Sequence, residues 1–182
     1  DGSLVPLEGI VAAGIPCARL QGLSLRNVGL TVYEGWKRLY QDFGELLFTH
    51  FGVSGPLVLS ASAHMRHFGR KEYRLEIDLK PALDQAQLDK RLLSDFQKNL
   101  NHDFRNALDE LLPQKLIPVA VELSGIPPQE KVHDITREQR QALLGVLKRF
   151  PVEITGKRPV AEAIVTSGGV QVSQVQPSTM ES

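Results

Sequence analysis

The run GELLFTHFGVSGP at residues 44–56 holds the densest set of groups that can do chemistry. Gly52 and Gly55 let a backbone approach a planar or anionic ligand closely. The N–H groups at a helix start, marked here by Gly55-Pro56, can donate to that ligand. His50 can accept or donate a proton, and Thr49 and Ser54 add hydroxyls beside it. The same run also reads as a plain strand-to-helix turn with a capping serine and a satisfied histidine. Composition alone favours that structural reading.

A second constellation is EAIVTSGGV at residues 162–170. A strand running into Thr166-Ser167-Gly168-Gly169 offers backbone N–H groups with no bulky side chains, which suits a ligand edge. Two adjacent glycines suit a tight hairpin equally well. The basic cluster Arg66, His67, Arg70 and Lys71 has only Phe68 and Tyr73 as aromatic neighbours and runs straight into acidic residues. It reads as a solvated helix end. His102 with Asp103, and His133 with Asp134, complete no zinc pattern, so no metal site is expected. Cys17 has no partner histidine in sequence and reads as a structural thiol. There is no Gly-x-Ser-x-Gly elbow and no Walker-type loop.

The chain that must position these residues has 182 of them, 42% apolar, with 21 Lys plus Arg against 21 Asp plus Glu. A formal net charge of zero carries no global footprint for nucleic acid or an anionic membrane, so neither is expected as a partner. One cysteine allows no internal disulfide and fits a reducing compartment. No apolar run approaches the length of a bilayer crossing, and residues 1–6 lack a signal-peptide pattern. A cytoplasmic setting is the expectation. The absence of an initial methionine and the ending PSTMES suggest an internal segment of a longer protein.

The first third reads as β. Leu23, Leu25, Val28, Leu30 and Val32 nearly alternate, with a slip at Asn27-Val28 that predicts a bulge. Glu34-Gly35 predicts a hairpin turn. Residues 36–43 then form a second strand with Trp36, Leu39 and Phe43 as its apolar positions. Gly44 punctuates, and residues 45–49 form a third. Tyr73, Leu75, Ile77 and Leu79 alternate with Arg74, Glu76 and Asp78, the mark of a half-buried strand. The character changes at Pro81. Asp84 with Gln87 forms a capping-box pattern, and Leu88, Leu92, Phe96 and Leu100 follow at four-residue spacing. Residues 104–112 predict a second helix and residues 113–123 a third, which Pro118 bends or delays. Thr136 with Gln139 opens a fourth, running through Leu143, Leu144, Leu147 and Phe150. Beyond Pro151 strands are predicted at 152–155, 161–166 and 170–175, broken by Gly156 and by Gly168-Gly169. A chain that leaves a sheet, builds helices and returns predicts two nested subdomains.

Taken together, the two glycine-bearing segments resemble the bacterial NAD(P)/FAD-dependent oxidoreductase family of YhiN- and BaiN-like flavoproteins. Its members carry runs much like residues 23–28, 44–56 and 162–170, the last leading into PSTMES. Order and spacing match from about Leu4 to the end, and THFGVSGP at residues 49–56 is the specific string. The resemblance implies an α+β fold: a β-barrel-like subdomain over 1–80 and 151–182, interrupted by a small helical bundle over 81–150. Both would lie between two halves of a Rossmann-like FAD domain that this chain lacks, since no Gly-x-Gly-x-x-Gly turn is present.

The function so implied is that of a substrate-side insert in an FAD-dependent oxidoreductase, an NAD(P)H-linked reductase in its full length. Its partners would be the missing FAD-binding domain and a small-molecule substrate. The chain alone is expected to be inactive and to hold no cofactor. The resemblance places His50 as the acid/base or orienting group. It places Thr49, Gly52, Ser54, Gly55, Thr166, Gly168 and Gly169 along the cleft facing the flavin or substrate. The competing reading is a non-catalytic binding module with a barrel like that of translation factors. A small hydrolase ranks last, because no nucleophile–base pair is visible.

Overall fold

The computed structural model describes the backbone of Val5–Leu7, Ile10–Ala13 and Val165–Ser167, and backbone and side chains of residues 17–159. The alternating run near the start becomes strand β3, Ser24–Glu34, with Leu25, Val28, Leu30 and Val32 buried. Leu25 faces Leu46 while Val28 faces Gly44, so β3 carries one residue more than its partner. That is the bulge the slip at Asn27-Val28 predicts. The chain reverses at Gly35, whose φ of 57° suits glycine, and Trp36.

The return strand β4 spans Lys37–Phe48 without a break. The expected division at Gly44 is therefore corrected. Gly44 pairs with Val28 at the bulge, and a β-carbon there would meet Leu57 at 3.9 Å. This glycine marks where the next helix rests on the sheet, not where a strand ends. Two of the predicted apolar positions face outward: Trp36 is 95% exposed and Phe43 58%.

Strand β5, Gly52–Ser54, leads through Gly55 into helix α1, Pro56–Ser62. Strand β6, Tyr73–Asp78, buries Tyr73, Leu75 and Ile77 as the alternation predicts. Strand β7, Phe150–Lys157, runs through Gly156 instead of stopping there, because Gly156 faces Val11 of β2, Ile10–Ala13. Antiparallel pairing in the order β2-β5-β4-β3-β6-β7 closes into a barrel, with β2 bonding both β5 and β7. Closure leaves no free strand edge in this sheet. Its interior is filled by Leu30, Val32, Leu46, Phe48, Leu75, Ile77, Phe150 and Val152, all buried. Outside it, β1, Val5–Leu7, pairs with β8, Val165–Ser167. Of the predicted strand at 161–166, only the part from Val165 is described, and 170–175 lies outside the described residues.

Between β6 and β7 the chain is helical. Helix α2, Gln85–Lys98, opens on the Asp84/Gln87 capping box and buries Leu88, Leu92 and Phe96. Helix α3, Ile117–Ser124, starts with Pro118 in its first turn and stops at Gly125 in a left-handed conformation. Helix α4, Arg137–Lys148, opens on the Thr136/Gln139 capping box and buries Leu143, Leu144 and Leu147.

The helix predicted over 104–112 is corrected to a single 3-10 turn, Phe104–Asn106, followed by irregular turns. The N–H groups of Phe104 and Arg105 donate to the carbonyls of Glu130 and Pro128, which ties the start of this turn to a neighbouring segment. The apolar residues Phe104, Leu108, Leu111 and Leu112 are buried all the same. Phe150, expected on the last turn of α4, belongs to β7 and the barrel interior. Barrel and helices share one continuous apolar cluster. At the junction, Lys148 of α4 donates to the Asp78 carboxylate at 2.6 Å and to the carbonyls of Lys80 and Leu83.

Candidate functional site

The turn between β4 and β5 is built by Thr49. Its N–H donates to the Gly52 carbonyl at 2.9 Å, and Gly52 N–H donates back to Thr49 Oγ1 at 3.2 Å. This closes the loop and carries His50 and Phe51 at its tip. His50 is exposed, and its ring meets Phe51 edge-on, with centroids 5.1 Å apart. The Arg158 guanidinium lies 4.6 Å over the other aromatic surface, that of Phe51. Beneath the tip, Val53 is buried and pairs with both Phe48 and Ile10, so a barrel strand fixes the base of the loop.

Gly55 adopts φ 100° and ψ 170°, a region open essentially to glycine alone. A β-carbon at Gly55 would lie 3.2 Å from the Glu45 carbonyl and from the Leu47 nitrogen. The glycine thus lets the start of α1 press against β4. The capping serine expected at Ser54 is corrected. The N-cap of α1 is Gly55, with no side-chain cap bond, and Ser54 is paired with Leu47 in the sheet.

Thr49, His50, Gly52, Ser54 and Gly55 are therefore brought together within one short segment. Thr166 lies opposite Pro6 in the β1–β8 ribbon, and β1 runs beside α1. Gly168 and Gly169 lie outside the described residues. Chemically, the Thr49 and Gly52 N–H groups are spent on closing the loop, and the space at Gly55 is filled by β4 backbone. These residues do not fit the pyrophosphate of a dinucleotide. What they offer a ligand is the His50 imidazole, which among the described residues makes no hydrogen bond or ion pair, standing on a rigid base. No group of three or more His, Cys, Asp or Glu among the described residues is placed to hold a metal ion. A groove of about 750 Å3 lies elsewhere, over α3, lined by Ile117, Pro118, Val121, Ile126 and Pro127 among others. No residue of the Thr49 loop lines it.

The sequence reading passed over one arrangement that the fold assembles. The segment after α1 is a tight turn in which Arg70 and Lys71 N–H groups both donate to the His67 carbonyl, with Gly69 at φ 82°. Arg66, His67, Arg70 and Lys71 therefore stand on a loop, and the expected helix end is corrected. Lys71 and Tyr73 both donate to the Glu34 carboxylate, which ties this loop to the β3–β4 hairpin. The Lys71 ammonium holds the Glu34 carboxyl below the usual carboxylate range. Phe68 packs on Tyr73 at 4.8 Å, and Lys157 sits 5.2 Å over its ring, next to Arg158 on Phe51. No sequence signal short of the strand pairing brings residues 34, 71 and 157 together.

A family model described as "HI0933-like protein barrel and H2TH domain" matches residues 2–165. Among curated proteins, the chain is 31% identical over 163 residues to the ribosomal RNA dihydrouridine synthase of Haemophilus influenzae, covering 90% of this chain and 37% of that protein. It is 33% identical over 136 residues to the ribosomal RNA dihydrouridine synthase of Escherichia coli, covering 75% and 32%. It is 29% identical over 150 residues to the 3-dehydro-bile acid delta(4,6)-reductase of Clostridium scindens, covering 81% and 37%. The chain thus spans about a third of the length of these relatives.

Proposed function

The chain belongs to the HI0933-like family of flavoprotein oxidoreductases, in its barrel and H2TH domain, and on that premise we propose that it forms the substrate-side insert of an FAD-dependent reductase. In this reading FAD is held by other parts of a longer protein, reduced by NAD(P)H, and this chain forms one wall of the cleft. Bound FAD supplies the hydride chemistry. The chain's own residues position the substrate and handle the proton.

The observation that carries the proposal is the His50 loop. An exposed imidazole stands at the tip of a turn closed by Thr49 and braced by β5 and Gly55. It lies in the string THFGVSGP that drew the family resemblance. The relatives' names supply the reaction type: a delta(4,6)-reductase and a dihydrouridine synthase both saturate a carbon–carbon double bond. Such a reduction adds a hydride to one carbon and a proton to the other side of the conjugated system. His50 is assigned the proton, and the backbone at Thr166 the opposite edge of the cleft.

Phe43 and Leu47, on the outer face of β4, are exposed apolar residues that support docking of a further part of the protein. Cytoplasmic location and a small-molecule substrate remain part of the proposal. No helix among the described residues is long and apolar enough to cross a membrane.

The test is His50→Ala in the full-length protein, followed by NAD(P)H oxidation against an enone substrate. Loss of a general acid lowers turnover by about 10²–10⁴-fold while the flavin absorption spectrum stays unchanged. Unchanged turnover removes His50 from the mechanism. A lost flavin spectrum makes it a structural residue.

A further inference from the structure

We infer that Arg158 is a second catalytic residue of the proposed cleft, its guanidinium holding the substrate's carbonyl oxygen as negative charge builds there. The inference rests on the reductase reading and deepens it. It restricts the substrate to alkenes conjugated with a carbonyl.

Arg158 follows directly on β7, which ends at Lys157. Strand β2 lies between β7 and β5: Ile10 faces Lys157 on one side and Val53 on the other. Phe51 stands just before Gly52, where β5 begins, so one shared strand sets Arg158 beside the His50 loop. The guanidinium lies 4.6 Å from the centre of the Phe51 ring, and the same ring meets the His50 ring at 5.1 Å. An imidazole and a guanidinium therefore flank one aromatic side chain. Phe51 and Arg158 are both half-buried, whereas His50 is exposed. Stacking on the ring restricts where the guanidinium can point. Its rigid fork carries five N–H donors, so a partner within the protein leaves others for a substrate oxygen. The neighbouring cation, Lys157, lies over a different ring, that of Phe68, at 5.2 Å.

The reaction has a place for both groups. As a conjugated double bond is reduced, its β-carbon takes the hydride and forms a C–H bond. The alkene π pair shifts toward the carbonyl, and the carbonyl π pair moves onto oxygen, giving an enolate. That pair then returns, the α-carbon takes the His50 proton, and the C=O bond re-forms. The hydride brings two electrons, so FAD is left oxidised until NAD(P)H reduces it, and His50 regains its proton from water. The protonated carbon and the charged oxygen are two bonds apart, which lets one substrate meet His50 and Arg158 together. A cation fixed where charge develops stabilises the transition state more than the neutral substrate. An isolated alkene offers Arg158 no oxygen and is not expected to be reduced.

Arg158→Met in the FAD-bound full-length protein is expected to lower enone turnover by about 10²–10³-fold with the flavin spectrum unchanged. Arg158→Lys keeps the cation without the fork, and its turnover is expected to fall between the two. A second readout needs no turnover. Calorimetric titration uses 4-nitrophenolate, whose planar charged oxygen stands in for the enolate, and 4-nitroanisole, a similar ring without the charge. Arg158→Met is expected to weaken 4-nitrophenolate by about 10- to 150-fold, the worth of a charge-assisted hydrogen bond, and to leave 4-nitroanisole unchanged. Lys157→Met removes a charge one residue away and is expected to change either affinity by no more than about 2-fold.

Wild-type turnover in Arg158→Met overturns the inference, as does lowered turnover with 4-nitrophenolate affinity intact. Equal weakening by Lys157→Met overturns it too, because the effect would then be one of diffuse charge. If Arg158→Met fails to retain flavin, Arg158→Lys carries both measurements. An Arg158-dependent phenolate site in a protein that reduces no enone would sink the reductase reading alone. Enone turnover that does not depend on Arg158 would sink this inference alone.

Discussion

Phe150→Ala is expected to lower folding stability by about 3–5 kcal/mol, the cost of emptying a large buried aromatic site. Phe150 is fully buried, opens β7 opposite Ile77, and meets Phe48 edge-on with ring centroids 6.4 Å apart. Its ring thus bridges the two strands β4 and β7 across the barrel interior, just where the chain returns from the helices. Removing it leaves a void that closed strands cannot collapse to fill. Phe150→Leu keeps most of the volume and is expected to cost much less, under about 2 kcal/mol. Urea unfolding of both variants checks this. A loss below about 1 kcal/mol for the alanine variant would mean that Phe150 sits on an exposed helix end, as its sequence neighbours in α4 suggest.

Gly55→Ala is the second large effect, at about 2–4 kcal/mol. Two independent costs combine. The backbone conformation, φ 100° and ψ 170°, is strained for any residue with a β-carbon. That carbon would also be driven to 3.2 Å from two backbone atoms of β4, which cannot swing aside as a side chain can. Gly22 separates the two costs. It has φ 84° but nothing within 4 Å of an added β-carbon, so Gly22→Ala is expected to cost only about 1 kcal/mol. Equal losses at Gly22 and Gly55 would mean that the junction of α1 with β4 is loose. The base proposed for His50 would then not be rigid.

Features that depend on neighbours in sequence were legible. The capping boxes at Asp84 and Thr136 need only a side chain and an N–H three residues apart, and both form. The alternation from Tyr73 to Ile77, the turn at Gly35 and the slip at Asn27-Val28 are likewise local, and each appears in the structure. The failures share a cause in distant segments. Gly44 and Gly156 looked like breaks because glycine usually weakens a strand, but cross-strand partners Val28 and Val11 hold both in the sheet. Residues 104–112 have helical apolar spacing, yet only one 3-10 turn forms, its start tied to the distant carbonyls of Glu130 and Pro128 and its apolar residues packed into the core from irregular turns.

Of the candidate site, the grouping from Thr49 to Gly55 was visible because it is contiguous. The arrangement that ties Lys71 and Tyr73 to Glu34 and sets Lys157 over Phe68 was not, because it joins segments distant in sequence through strand pairing.

Titration of the 182-residue chain with FAD, followed by calorimetry and visible absorption, tests the central claim most directly. The account predicts no binding heat and no flavin spectrum retained after gel filtration, because the Thr49 and Gly52 N–H groups are spent on closing their own loop and, in the proposed reading, this chain supplies only one wall of the cleft. Stoichiometric FAD binding by this chain would contradict it, placing a complete flavin site within the barrel and helices themselves.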